Sequence, residues 1–138
     1  MQTIIVDHFR MFICLVDGCH HYQNLTDKER KDNHPVISPR KCDINLHNKG
    51  WHRFQGAAGT KMATKSPGSD KCGAPYPAWL NGAHPTVAEG KVKRHVCVNK
   101  YQNGECERCL VDVKNCTSYY IYDFYHCNAC PFRYCGTD

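Results

Sequence analysis

Apolar positions in this chain come in short runs broken by polar residues, the pattern of strands with one face buried. Residues 92–98 alternate in this way, and Trp51-His-Arg-Phe-Gln55 reads as a second strand. Leu110–Val113 and Tyr119–Phe124 follow, the latter with Tyr120, Tyr122 and Phe124 on one face and Tyr119 and Ile121 on the other. Phe132–Tyr134 closes the chain as a last short strand. Turns are marked at Pro67-Gly68, Asn81-Gly82 and Asn103-Gly104, and residues 64–90 form a long stretch rich in Gly, Pro, Ser and Asn. Thr26-Asp-Lys-Glu29 has the form of a capping box and predicts a short helix near 26–32. His34-Pro35 and Ser38-Pro39 disfavour its continuation. Gly56-Ala-Ala-Gly59 follows a strand without opening a helix, so it reads as a tight connection and not as a phosphate loop.

Cysteine content changes this picture most. There are 11 in 138 residues, and seven fall between Cys97 and Cys135. At that density a short chain reads as a disulfide scaffold, which persists only in an oxidising compartment. The predicted fold is a small β-rich, disulfide-stabilised domain, with short antiparallel strands, long turn-rich loops and at most one short helix. An odd count leaves one cysteine outside any internal pairing. The competing reading is an intracellular zinc module. Cys106-Glu-Arg-Cys109 and Cys127-Asn-Ala-Cys130 lie 17 residues apart, a spacing that suits four thiolates around a tetrahedral ion. Against it, Cys116 and Cys135 crowd the same region, and the segment between the pairs is strand-like. Neither Cys-x-x-Cys opens a helical pattern, where a redox thiol would need to sit.

The formal charge of +5 is spread along the chain. Its densest basic stretch, Lys91-Val-Lys-Arg-His95, reads as the wet face of a strand, and no basic stripe carries the interleaved aromatics of a nucleic-acid surface. Asp112 and Asp123 sit on strand patterns with no partner carboxylate in view, so acid–base catalysis has no support. His20-His21 and His126 lie near cysteines, and no cofactor is implied. The apolar runs Ile4–Val6 and Met11–Val16 are too short for a membrane span of about 18 residues or more. Asp7, His8 and Arg10 interrupt what a secretory signal would keep apolar. Residues 1–18 are therefore set apart as an N-terminal segment, a degenerate signal or part of a fragment, ahead of a domain over 19–138.

Several longer motifs resemble a known family. Lys41-Cys-Asp-Ile-Asn-Leu-His47, Gly50-Trp-His-Arg-Phe-Gln-Gly56 and Ala78-Trp-Leu-Asn-Gly-Ala-His-Pro85 come first. Arg94-His-Val-Cys97, Val113-Lys-Asn-Cys116, Tyr119-Tyr-Ile-Tyr122 and Cys130-Pro-Phe-Arg-Tyr-Cys-Gly136 continue in order. Together they are similar to the eight-to-ten-cysteine extracellular domain of uromodulin and its relatives, over roughly residues 19–138. The resemblance implies a non-enzymatic, secreted or ectodomain glycoprotein module, whose best-understood members carry N-glycans that act as decoys for bacterial fimbrial lectins. Its partners would be extracellular proteins or carbohydrates.

The family cysteines correspond to Cys19, Cys42, Cys72, Cys97, Cys106, Cys109, Cys116, Cys130 and Cys135. Ser66 replaces a usual cysteine, two usually adjacent cysteines stand apart as Cys106 and Cys109, and Cys14 and Cys127 are extra. The loss at Ser66 orphans one partner, which Cys127 is available to take. At Asn81-Gly-Ala83 the family's glycosylation signal is absent, whereas Asn24-Leu-Thr26 and Asn115-Cys-Thr117 are sequons. Trp51 and Trp79 read as core residues beside disulfides. Trp79, with Asn81 and His84, is also the best candidate for contact with a sugar or peptide.

Overall fold

The centre of the fold is an antiparallel sheet made by the segments whose alternation is clearest. A computed structural model describes residues 18–36, 41–101 and 105–138. The N-terminal segment up to residue 17, with Cys14, lies outside the described residues, as do the break at Ser38-Pro39 and the turn at Asn103-Gly104. The described residues form β1 (Gln23–Leu25), β2 (Trp51–Phe54), β3 (Lys61–Met62), β4 (Tyr76–Asn81), β5 (Val92–Val98), β6 (Glu107–Asn115), β7 (Tyr120–His126), β8 (Phe132–Tyr134) and β9 (Gly136–Thr137). The large sheet has the order β1-β2-β7-β6-β5-β4-β8, and β3 and β9 form a separate ribbon.

Alternation decides which face is buried. Val96 and Val98 on β5, Val111 and Val113 on β6, and Tyr122 and Phe124 on β7 all turn to the core and are fully buried. Phe54, Leu80, Phe132 and Tyr134 join them from the flanking strands. The rings pack in fixed geometry. Phe124 stacks on Tyr134 with centroids 3.9 Å apart, and Phe54 meets Tyr122 edge-on at 5.4 Å. Buried tyrosine hydroxyls need partners. Tyr122 Oη accepts from the Met62 amide at 2.9 Å and bonds His84 Nε2 at 2.8 Å, and Tyr134 Oη bonds His47 Nε2 at 2.9 Å.

The sheet departs from the expected all-antiparallel form at both edges. β1 runs parallel to β2, and β8 runs parallel to β4. Parallel neighbours need long crossovers, and the chain between Leu25 and Trp51 and between Asn81 and Phe132 supplies them. No α-helix forms among the described residues. The helix expected near 26–32 is a 3₁₀ turn over Lys28–Arg30, capped by Asp27 rather than Thr26, with Asp27 Oδ1 accepting from the Glu29 amide at 3.0 Å. One turn is too short to repay helix nucleation by itself. It is held because Arg30 is drawn into a buried pair with Asp43, at 2.6 Å. The ribbon of β3 and β9 closes against Gly136, where a Cβ would lie 1.9 Å from the Ala58 carbonyl oxygen. Only glycine fits there.

Candidate functional site

The cysteines form the frame on which everything else is presented. Among the described residues the pairs are Cys19–Cys116, Cys42–Cys130, Cys72–Cys135, Cys97–Cys106 and Cys109–Cys127. The first three close sequence separations of 97, 88 and 63 residues and tie the early loops to the end of the sheet. Cys97–Cys106 clasps the β5–β6 hairpin. The fifth pair depends on an irregularity in the β6–β7 ladder. From Asn115↔Tyr120 to Val111↔Phe124 the pairing is regular, and then the register shifts by one, so that Leu110 meets His126. A β-bulge inserts one such extra residue. Without it His126 would face Cys109. With it Cys127 does, at a Cα–Cα distance of 4.9 Å.

This pairing overturns the zinc reading. Its four proposed ligands are divided among three disulfides: Cys106 with Cys97, Cys109 with Cys127, and Cys130 with Cys42. A disulfide sulfur is not a thiolate and cannot serve as one toward zinc. Among the described residues no three His, Cys, Asp or Glu side chains gather around a common point. The two Cys-x-x-Cys motifs are joined to each other through Cys109–Cys127, and their other members, Cys106 and Cys130, are bridged to Cys97 and Cys42.

A buried ion network, which the sequence did not announce, locks the frame near Cys42. Arg30 Nη1 and Nη2 donate to the two Asp43 oxygens at 2.6 and 2.9 Å, and the Tyr134 amide donates to Asp43 at 2.8 Å. Arg133, itself buried, donates to Asp27 at 3.0 Å. Partial burial raises the Asp27 carboxyl pKa, but the Glu29 amide and the Arg133 guanidinium outweigh it and hold the group near 2.

Of the three residues expected to form a contact surface, Trp79 and Asn81 share one face of β4, and His84 is set apart from them. Trp79 stands in β4, not on a turn, opposite Cys97, and packs against Ala63 and the Cys72–Cys135 bridge. Asn81 ends the same strand and is exposed. His84 turns inward, its ring tilted 32° against Tyr120 at 4.2 Å between centroids and bonded to Tyr122. Burial, reinforced by Lys61 and Arg94, lowers its pKa to about 4, so it is a neutral, half-buried histidine near pH 7. Trp51 packs against Gly18, where a Cβ would come within 2.5 Å of the indole.

Asp112 and Asp123, read from sequence as lacking a partner carboxylate, are direct cross-strand neighbours. They floor a depression of about 470 Å³ together with Asn48, Gly50, Lys93 and Tyr125. Tyr125 Oη donates to Asp112 at 3.1 Å. Partial burial and then the Asp112 charge raise the Asp123 pKa.

The sequons differ in setting. Asn24 is exposed on the edge strand β1, beside the Gln55 amide at 2.9 Å. Asn115 is engaged at both ends, its Nδ2 donating to the Pro85 carbonyl at 3.1 Å and its Oδ1 accepting from the Thr117 amide at 2.8 Å. Its neighbour Cys116 is bridged to Cys19.

Residues 52–136 match the family model described as uromodulin-like. The chain belongs to the uromodulin-like domain family. It is 35% identical over 127 residues to the pancreatic secretory granule membrane major glycoprotein of Mus musculus, covering 89% of this chain and 23% of that protein. The corresponding protein of Canis lupus familiaris is 33% identical over 120 residues, covering 86% of this chain and 23% of that protein. Uromodulin of Mus musculus is 35% identical over 122 residues, covering 86% of this chain and 18% of that protein. The chain thus spans about a fifth of the length of these curated relatives. It is an extracellular, disulfide-stabilised β domain, and no helix among its described residues is long and apolar enough to cross a membrane.

Proposed function

We propose that this chain is a non-enzymatic interaction module whose role is to present an N-linked glycan from Asn24 to carbohydrate-binding proteins outside the cell. The exposure of Asn24 on an edge strand carries the reading. That strand pairs with β2 on one side and, among the described residues, with no strand on the other. The bridged frame supports it, because loops fixed by disulfides lose little freedom when a partner binds. The word glycoprotein in the name of the pancreatic relative of Mus musculus agrees with this role. Asn115, bonded at both side-chain ends and followed by a bridged cysteine, is the less suitable acceptor. Direct protein contacts fall in this reading to Asn81 and Trp79.

Glycopeptide mass spectrometry on protein secreted from eukaryotic cells tests the proposal. Occupied Asn24 with bare Asn115, and lectin capture lost in Asn24→Gln but kept in Asn115→Gln, is the expected outcome. An unmodified Asn24 would sink it.

A further inference from the structure

Asn24 has a prepared neighbour. Tyr22 precedes it by two residues and Thr26 follows by two, and in extended chain residues two apart point to the same side. Leu25 is buried, so Asn24 faces outward. Across the ladder Asn24 is opposite Arg53. Arg53 Nη1 donates to Tyr22 Oη at 2.8 Å, and its guanidinium carbon lies 5.6 Å from the Tyr22 centroid and 3.8 Å from that of Tyr119. The Tyr119 hydroxyl in turn donates to the Cys19 carbonyl, next to the Cys19–Cys116 bridge. The Tyr22 ring is thus fixed through Arg53 and Tyr119 to a disulfide, on the same side of the edge strand as Asn24.

We infer that the first N-acetylglucosamine attached to Asn24 packs on the Tyr22 ring, so that the glycan is held in one orientation and staples β1 to the sheet. The inference rests on the glycan reading of Asn24. The physical reason is complementary surfaces. One side of the sugar ring presents mainly C–H groups, and the face of a tyrosine ring carries negative quadrupole density that attracts them. Because Arg53 already restrains Tyr22, little side-chain freedom is left to lose on contact. The strand also needs support, since three residues at a sheet edge form few ladder bonds. A glycan held this way presents its outer sugars in a defined direction instead of as a free antenna.

The test compares thermal unfolding of the secreted full chain in two states, with the Asn24 glycan trimmed to one N-acetylglucosamine and with the sugar removed. Taking the difference within each variant cancels the effect of the substitution on the fold itself. In the native sequence the single sugar should raise Tm by about 3 °C. Tyr22→Phe should keep most of that rise and Tyr22→Leu should abolish it. In case Tyr22→Leu is not secreted, nuclear Overhauser contacts between the sugar C–H groups and the Tyr22 ring are sought in the native sequence. An equal rise in Tyr22→Leu, or an occupied Asn24 whose sugar makes no contact with the ring, overturns the docking while leaving the glycan reading standing. An unoccupied Asn24 overturns both.

Discussion

Replacing Asp43 with alanine should be among the most damaging single changes outside the cysteines. Its carboxylate receives two bonds from Arg30 and one from the Tyr134 amide. The Arg30 and Asp43 side chains are only 7% and 4% exposed, so water cannot take over these bonds. Asp43→Ala leaves the Arg30 guanidinium without its counter-ion inside the protein, which costs about 3–5 kcal/mol. The Tyr134 amide loses its acceptor as well, for about 1–3 kcal/mol more. Against a total stability of about 5–15 kcal/mol the protein would lose a large share. The double variant Arg30→Met, Asp43→Leu removes both charges together. Its loss should fall below the sum of the single losses by about 2 kcal/mol or more. Urea unfolding of the oxidised protein, followed by fluorescence of Trp51 and Trp79, reads all four corners of the cycle. A loss under about 1 kcal/mol for Asp43→Ala, or additive single effects, would refute the reasoning, because an exposed pair behaves that way.

Three further outcomes follow from the same geometry. His84 has its pKa lowered to about 4 by burial, below an unfolded value near 6.5. The stability this contributes is present above pH 6.5 and lost as pH falls toward 4, by at most about 2 kcal/mol after allowance for screening. His84→Gln should flatten the acid limb of a pH–stability profile, and an unchanged limb would count against a half-buried neutral His84. Removing the extra bridge with Cys109→Ala and Cys127→Ala frees an 18-residue closure, worth about 3 kcal/mol in the chain-entropy account; chemical denaturation should show a loss near that size, and reactive Cys109 or Cys127 thiols in the native protein would disprove the pairing. Gly136→Ala places a methyl against the Ala58 carbonyl and should abolish secretion or lower Tm by more than about 10 °C, whereas Gly68→Ala, where space is open but the backbone φ is positive, should cost only about 1 kcal/mol in the same melts.

Local alternation reveals strands only where one face is buried and the other wet. β5, β6 and β7 follow that pattern except at Cys97 and Ile121, which are buried on the other face, and their positions were legible, with β6 and β7 extending beyond the expected segments. β4 was hidden inside a stretch read as turns, because Tyr76-Pro-Ala-Trp-Leu-Asn81 starts beside prolines and buries small residues. β1, β3 and β9 are two or three residues long and exist only through their partners. Parallel pairing at both edges is a property of long connections, not of local pattern. A capping box does occur, but at Thr86 and Glu89, where the Thr86 amide donates to Glu89 at 2.9 Å. The one read at Thr26 yields its place to Asp27 because Arg30 is pulled inward.

The cysteines were legible as a disulfide set, but their pairing was not. The bulge that brings Cys127 opposite Cys109 leaves no mark in the spacing, which instead mimics a zinc site. Arg30, Asp43 and Arg133 were overlooked for a related reason. Charged residues are rarely buried, and no local pattern distinguishes the few that are.

Disulfide mapping bears most directly on the account. Protein secreted from eukaryotic cells would be alkylated, digested without reduction and sequenced by mass spectrometry, with zinc measured on the same sample. The expected result is the five linked pairs, with Cys109 joined to Cys127 and Cys42 joined to Cys130, and no metal bound through those sulfurs. Cys106, Cys109, Cys127 and Cys130 becoming alkylated together only after chelation, with one zinc released per chain, would contradict it.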